Sequence, residues 1–197
     1  MKRIVLISFA LAALMLLAAC AQARGPAQPY TALDAYELAD MSGYDCAATY
    51  EKDYQFVNVT VADVAAEMDA GTSFVLYAGF STCPWCNVIL NHLNDIAIER
   101  GLKIAYIDTR SDPSWKSNLD LKDYDLFVER FGSALQTDDN NRPHLYAPHI
   151  FFVRNGQLVA DYAGTVPSQE KPQDELSDAQ IKEFVSAINN DIDMLGI

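Results

Sequence analysis

Basic residues are scarce in this chain: 14 lysines and arginines stand against 27 aspartates and glutamates, a formal net charge of −13. No basic cluster follows residue 3. A surface that tracks phosphates needs several cationic side chains close together, so nucleic-acid binding is excluded. Cysteine is scarce too. The four cysteines, at positions 20, 46, 83 and 86, are too few to staple a disulfide miniprotein, and each has to be read for itself. Long apolar runs are missing beyond the start of the chain. The run that is there, Ile4 to Ala19, falls short of the roughly 20 residues of a membrane-spanning helix. Internal repeats and low-complexity tracts are absent as well. What remains is a chain half apolar and 21% charged, enough to bury a core and too apolar for disorder. At roughly 150 residues per domain, 197 residues predict one domain with an extension.

The first 19 residues stand apart from the fold. Met1-Lys2-Arg3 is a basic start, the apolar run follows, and Ala21 to Pro29 is small, polar and interrupted by Gly and Pro. That is the pattern of a secretory signal peptide rather than an anchor helix. Leu17-Ala18-Ala19-Cys20 resembles the lipobox of bacterial lipoproteins, in which the cysteine is lipidated and becomes the new N-terminus. The resemblance implies a lipoprotein-type signal peptide over 1–19 and a lipid on Cys20 that holds the protein to a bacterial membrane. A rival reading takes Ala21-Gln22-Ala23 as an ordinary small-x-small cleavage site, releasing a soluble secreted or periplasmic protein without Cys20. Both place the protein outside the cytoplasm. Its acidity argues against electrostatic docking on an anionic membrane, which leaves the lipid to do the holding. Residues 20–53 read as tether and N-terminal extension: Gly25 to Pro29 cannot continue regular structure, and Tyr30 to Met41 supports at most a short helix.

From Tyr54 to the end, the punctuation is that of a folded domain. Gln55 to Val59 reads as a strand. Thr60 caps a helix with Val61, Val64, Ala65 and Met68 on one face, closed by Gly71. Ser73 to Ala78 is a continuous apolar strand of the kind buried on both faces. Pro84 to Arg100 reads as a helix ending at Gly101, Leu102 to Ile107 as a strand, and Leu121, Tyr124, Phe127, Val128 and Phe131 mark a helix stopped by Gly132. Ile150 to Val153 and Leu158 to Tyr162 flank Asn155-Gly156, the residues of a type I′ hairpin. Ser177 to Gln180 is a capping box ahead of a helix with Ile181, Phe184, Val185, Ile188, Ile192 and Leu195. Two β-α-β crossovers followed by an antiparallel hairpin predict a mixed sheet with helices on both faces.

The chemistry is concentrated in Cys83-Pro84-Trp85-Cys86, directly after the buried strand and at the mouth of a helix. Unsatisfied N–H groups and the positive dipole end there favour a thiolate over a thiol. Thiolate is the reactive form, and such sites have pKa values lowered to roughly 3.5–7. Pro84 suits the first turn, where its missing N–H is not required. Trp85, between the cysteines, is expected to be exposed as an apolar platform for a substrate. The bland readings are a structural disulfide or half of a zinc site. A zinc site needs a second ligand pair, and no second Cys-x-x-Cys or matching His pair exists. A purely structural disulfide would not need the strand-to-helix setting, so the redox reading is preferred.

Phe74 to Cys86, with Ala147-Pro148 before the last hairpin and Gly164 after it, resembles the thioredoxin superfamily over roughly residues 55–195. Tyr-Ala-Gly-Phe-Ser-Thr before the motif and Ala-Tyr-Ile-Asp-Thr-Arg after the next strand are similar to the bacteriocin-accessory-type thioredoxin-like proteins. The resemblance implies a thioredoxin-like three-layer α/β/α sandwich with a mixed sheet over 54–197. It also implies a thiol–disulfide oxidoreductase: Cys83 as nucleophile, Cys86 as resolving cysteine, and a groove of Pro84, Trp85, Ala147 and cis-Pro148 holding the substrate strand. No dissociable cofactor is implied, since the Cys83–Cys86 disulfide carries the electrons. The implied partners are proteins with thiols or disulfides and an envelope redox partner that resets the site. The alternative from another class is a non-catalytic lipoprotein that binds a soft metal such as copper(I) through the same pair.

Three departures from that pattern matter. Tyr77 stands where thioredoxins carry a buried acid. The Pro-Trp dipeptide is neither thioredoxin's Gly-Pro nor the Pro-His of strong periplasmic oxidants, so it does not fix the redox direction. Ser133 to Tyr146 is a polar insertion ahead of Pro148. Of the remaining residues, His92 lies about 13 Å along the helix from Cys83 and cannot serve it as a base. His144 and His149 flank Pro148 and read first as a loop and a strand-end histidine. Cys46 reads as an inert buried residue, and Asp138-Asp139 and Asp191/Asp193 as solvated surface.

Overall fold

The computed structural model describes residues 32–110, 121–172 and 174–197; the signal peptide, Cys20 and the start of the tether lie outside them. Among the described residues, seven strands and four α-helices follow in chain order. They are β1 (Phe56–Asn58), α1 (Val61–Asp69), β2 (Phe74–Gly79), α2 (Pro84–Arg100), β3 (Ile104–Asp108), α3 (Leu121–Phe131), β4 (Gln136–Thr137), β5 (Pro143–His144), β6 (His149–Arg154), β7 (Gln157–Ala163) and α4 (Asp178–Leu195). The main sheet runs β1-β3-β2-β6-β7. β3 is parallel to both β1 and β2, while β6 is antiparallel to β2 and β7. This is the expected three-layer α/β/α sandwich with a mixed sheet.

Alternation along the strands divides the core in two. Val75, Tyr77, Ile104, Tyr106, Ile150 and Phe152 point to the face covered by α2 and α4. Phe74, Leu76, Ala105, Ile107, Phe151 and Val153 point to the face covered by α1 and α3. β2 is buried along its whole length, as its unbroken apolar sequence requires. The caps also form as the residues predict: Thr60 with Asp63 and Ser177 with Gln180 make reciprocal capping boxes, and Gly101 ends α2 in the left-handed region.

The hairpin tip shows why its glycine is needed twice over. Asn155 and Gly156 both take positive φ, 49° and 74°, and Gly156 sits on the end of α1. A Cβ at residue 156 would lie 2.0 Å from the Met68 carbonyl oxygen.

The tether expectation needs correction over residues 32–45. Leu33, Ala39, Met41 and Tyr44 are buried in the core, and Leu38 bridges to Val57 in antiparallel fashion. Ala39 N–H donates to the Phe56 carbonyl and Asn58 N–H to that of Glu37, both at 2.9 Å. The segment therefore pairs along the free edge of β1 and blunts it. A short 3-10 turn, Asp45–Thr49, then seats against α2. No helix forms between residues 32 and 41.

The insertion ahead of Pro148 is also ordered. It holds a 3-10 turn, Gly132–Ala134, and the small antiparallel pair β4–β5. Tyr124 braces it: its hydroxyl donates to the Pro143 carbonyl at 2.5 Å and accepts from the Leu145 N–H at 3.2 Å.

Candidate active site

β2 ends at Gly79, the chain turns, and Cys83 becomes the N-cap of α2 with Pro84 at its first position. The turn is closed by the Cys83 N–H, which donates to the Phe80 carbonyl at 3.1 Å. Asn87 holds it from within the helix, donating to the carbonyls of Ser81 and Cys83 at 2.7 and 3.0 Å. The Cys83 sulfur accepts the Cys86 N–H at 3.3 Å. This is the stabilisation of a thiolate by an orphan helix-start donor. Ala147-Pro148 is a cis peptide, and the Cys83 thiol donates to the Ala147 carbonyl at 3.6 Å. Pro84 is exposed, Pro148 buried and Ala147 half-buried. Trp85 is half-buried and packs against the core, so it is not the free platform that its position predicts.

The two thiols, both free, are driven apart. A hydrogen bond from Cys86 does most to pull Cys83 down, to about 7, with burial opposing and the backbone N–H groups of Cys86 and Trp85 and the Arg110 charge assisting. Burial does most to push Cys86 up, and the Cys83 hydrogen bond and charge add to it. One thiol is thus ready to attack near neutral pH while the other keeps its proton. Groups pushed apart in this way divide acid–base roles between them. Alkylation of the reduced protein by iodoacetamide should reach half its maximal rate at Cys83 near pH 7. Cys46, which burial raises to about 11, should lag far behind. A Cys83 midpoint near 8.5, the value of an ordinary thiol, would contradict the helix-mouth stabilisation.

No protein-family model and no curated protein matches the chain. Solved structures with a thioredoxin fold do. One protein described as having that fold is 12% identical, with a TM-score of 0.45 over 70% of this chain and 93% of its own. Thioredoxin from Trypanosoma brucei brucei is 16% identical, with a TM-score of 0.43 over 73% and 97%. Thioredoxin O2 from Arabidopsis thaliana is 13% identical, with a TM-score of 0.42 over 72% and 97%. The structural neighbours are thioredoxin-fold proteins.

The remaining candidates divide by sheet face. His149 neighbours Pro148 but turns to the face away from Cys83: its ring stacks on Phe151 at 4.1 Å, and Nε2 meets the Asp161 carboxylate at 2.8 Å. Burial lowers its pKa. His144 packs its ring against Tyr146 at 4.4 Å. His92 is half-buried on α2, lowered by burial, and lines a groove of roughly 600 Å³ that runs from Pro84 past Cys46 to Ile181. Cys46 is held by its backbone, its N–H donating to Asn87 and its carbonyl accepting from Asn91. Asp138 is a turn residue rather than bare surface, since its carboxylate takes the N–H groups of Asn140 and Arg142 and the Arg142 guanidinium. Asp193 pairs with Arg100.

Sequence reasoning missed two neighbours of the motif. The Arg110 guanidinium lies 3.6 Å over the Phe80 ring, which sets its charge beside the Cys83 turn. Its place just beyond β3 was the available signal. Tyr44 was hidden in the supposed tether, and its hydroxyl meets that of Tyr106 at 3.1 Å.

Proposed function

We propose that this chain is an extracytoplasmic thiol–disulfide oxidoreductase that acts on protein disulfides through Cys83 and Cys86. The observation that carries the reading is the placement of Cys83 as the N-cap of α2, its sulfur accepting the Cys86 N–H at 3.3 Å and lying 3.6 Å from the Ala147 carbonyl of the cis Ala147-Pro148 peptide. Cys83 is lowered at the helix mouth and Cys86 is raised behind it. A structural disulfide needs no such placement, whereas a nucleophile activated at a helix start does.

The Cys83 thiolate attacks one sulfur of a substrate disulfide and forms a mixed disulfide; the other substrate sulfur leaves and takes a proton. Cys86 then attacks Cys83. The Cys83–Cys86 bond forms, the bond to the substrate breaks, and the substrate departs with two thiols while the enzyme pair is oxidised by two electrons. The partner's potential sets which way the exchange runs. Pro84 and Trp85 follow Cys83 in the helix mouth and the Ala147 carbonyl lies 3.6 Å from its sulfur; together with Pro148 they would hold the substrate strand. The narrower likeness to bacteriocin-accessory-type proteins is compatible with this role. The soft-metal alternative would use the same pair; among the described residues, no cluster of three or more His, Cys, Asp or Glu forms a metal site.

In a direct test, the reduced protein is mixed with a disulfide-bonded protein. One substrate disulfide should open for each Cys83–Cys86 pair oxidised. No thiol exchange would refute the reading.

The lipid on Cys20 belongs to the same proposal. Cys20→Ala should move the protein from the membrane to the soluble fraction with the domain still folded. A mature N-terminus at Arg24 without lipid, found by mass spectrometry, would instead assign the cut after Ala23.

A further inference from the structure

We infer that Tyr77 is the hydrogen-bond donor that stabilises the Cys86 thiolate when the resolving cysteine attacks. The inference rests on the thiol–disulfide reading above and names a residue that reading does not use. Tyr77 lies on β2 facing α2, fully buried, in one cluster with Cys83, Cys86, Tyr44 and Tyr106. Its ring stacks on Tyr106 at 5.9 Å and meets Phe56 edge-on at 5.6 Å, so its direction is fixed. The Tyr44 and Tyr106 hydroxyls share one hydrogen bond at 3.1 Å. The Tyr77 hydroxyl has no hydrogen-bond partner although it is buried.

A buried donor left unpaired is costly, and such groups call for an explanation. The space around this one is kept clear. A Cβ on Gly79 would lie 2.6 Å from the Tyr77 hydroxyl oxygen and 2.7 Å from Cζ. Gly79 does not have the positive φ that demands glycine; it makes room for the Tyr77 side chain, ring edge and hydroxyl together, since Cε1 would also lie within 2.9 Å of that Cβ. Tyr77 and Cys86 are close enough for each to shift the other's ionisation: burial and then the Cys86 charge raise Tyr77, and the Tyr77 hydroxyl favours the Cys86 thiolate.

The chemistry that follows is the reverse of a carboxylate's. Burial keeps Tyr77 protonated, so it cannot take the proton from Cys86. It can give a charge-assisted hydrogen bond to the thiolate once solvent has taken that proton. The bond exists only while Cys86 is anionic, on the way into the attack on Cys83. That stabilises the reacting state without stabilising the resting thiol. The titratable groups facing it are Cys83, Cys86, Tyr44 and Tyr106, and of these Tyr44 also feels the Tyr77 hydroxyl.

The test is Tyr77→Phe, which deletes one oxygen and leaves the ring. A preformed mixed disulfide on Cys83 should be released about tenfold more slowly near pH 7, the size of one such bond. Its pH profile should move up by about one unit. The first attack by Cys83 and the melting temperature should be unchanged, or the melting temperature higher, since an unpaired donor has gone. Unchanged release in Tyr77→Phe would overturn the inference, as would equal slowing of both steps together with a lower melting temperature. Absence of exchange in the native protein would instead refute the redox reading, so the two failures are distinct.

Discussion

Replacing Cys83 by serine is expected to abolish disulfide exchange, while Cys86→Ser is expected to trap long-lived mixed disulfides. The asymmetry follows from the geometry. Cys83 receives the Cys86 N–H and lies beside the Ala147 carbonyl, where a substrate sulfur would arrive. Cys86 is wholly buried, away from an arriving substrate. Without Cys83 there is no nucleophile near neutral pH, and activity should fall by several orders of magnitude, since serine is not deprotonated there. Without Cys86 the first attack proceeds and resolution fails, so substrate should accumulate on Cys83 as adducts visible by non-reducing electrophoresis and mass spectrometry. Equal trapping by both variants, or full activity in Cys83→Ser, would reverse or remove the assigned roles.

A chain beginning at Tyr54 should lose most of its stability. It lacks Leu33, Met41 and Tyr44, each about 2% exposed or less, and burying a large apolar side chain contributes about 1.5–3 kcal/mol. Extended-chain reference states overstate such sums, yet about 5 kcal/mol is already comparable with the total stability of a domain, about 5–15 kcal/mol. The truncation would also bare the edge of β1 and remove Tyr44 from the Tyr106 hydroxyl. Thermal unfolding should shift down by about 10 °C or more, or no cooperative transition should remain. An unchanged transition would mean that the segment only lies on the surface.

That second expectation runs against the sequence pattern, and the reason is instructive. β2 was legible because five apolar residues, Phe74 to Ala78, follow one another, and α2 and α4 because caps and a 3.6-residue period agree over several turns. The segment from Leu33 to Tyr44 has neither. Its buried residues are isolated, and they are held by backbone bonds to β1 that no local pattern encodes. The site divides in the same way. Cys83, Pro84 and Cys86 are neighbours in sequence, and their helix-mouth placement follows from the strand before them. Arg110 and Tyr44 reach the site only through the fold. His149 shows the limit in the other direction: adjacency to Pro148 says nothing of direction, and strand alternation turns it to the opposite face.

The central claim, that Cys83 and Cys86 cycle between dithiol and disulfide, is tested most directly by equilibrating the protein in glutathione or dithiothreitol buffers of stepped potential and reading the oxidised fraction by mass. A single reversible two-electron transition is expected, with the loss of two hydrogens confined to Cys83 and Cys86. Its midpoint should fall between about −270 and −120 mV, the span of thioredoxin-like dithiols. A pair that stays reduced across that range, or that retains stoichiometric copper(I) in place of forming a disulfide, would contradict the account.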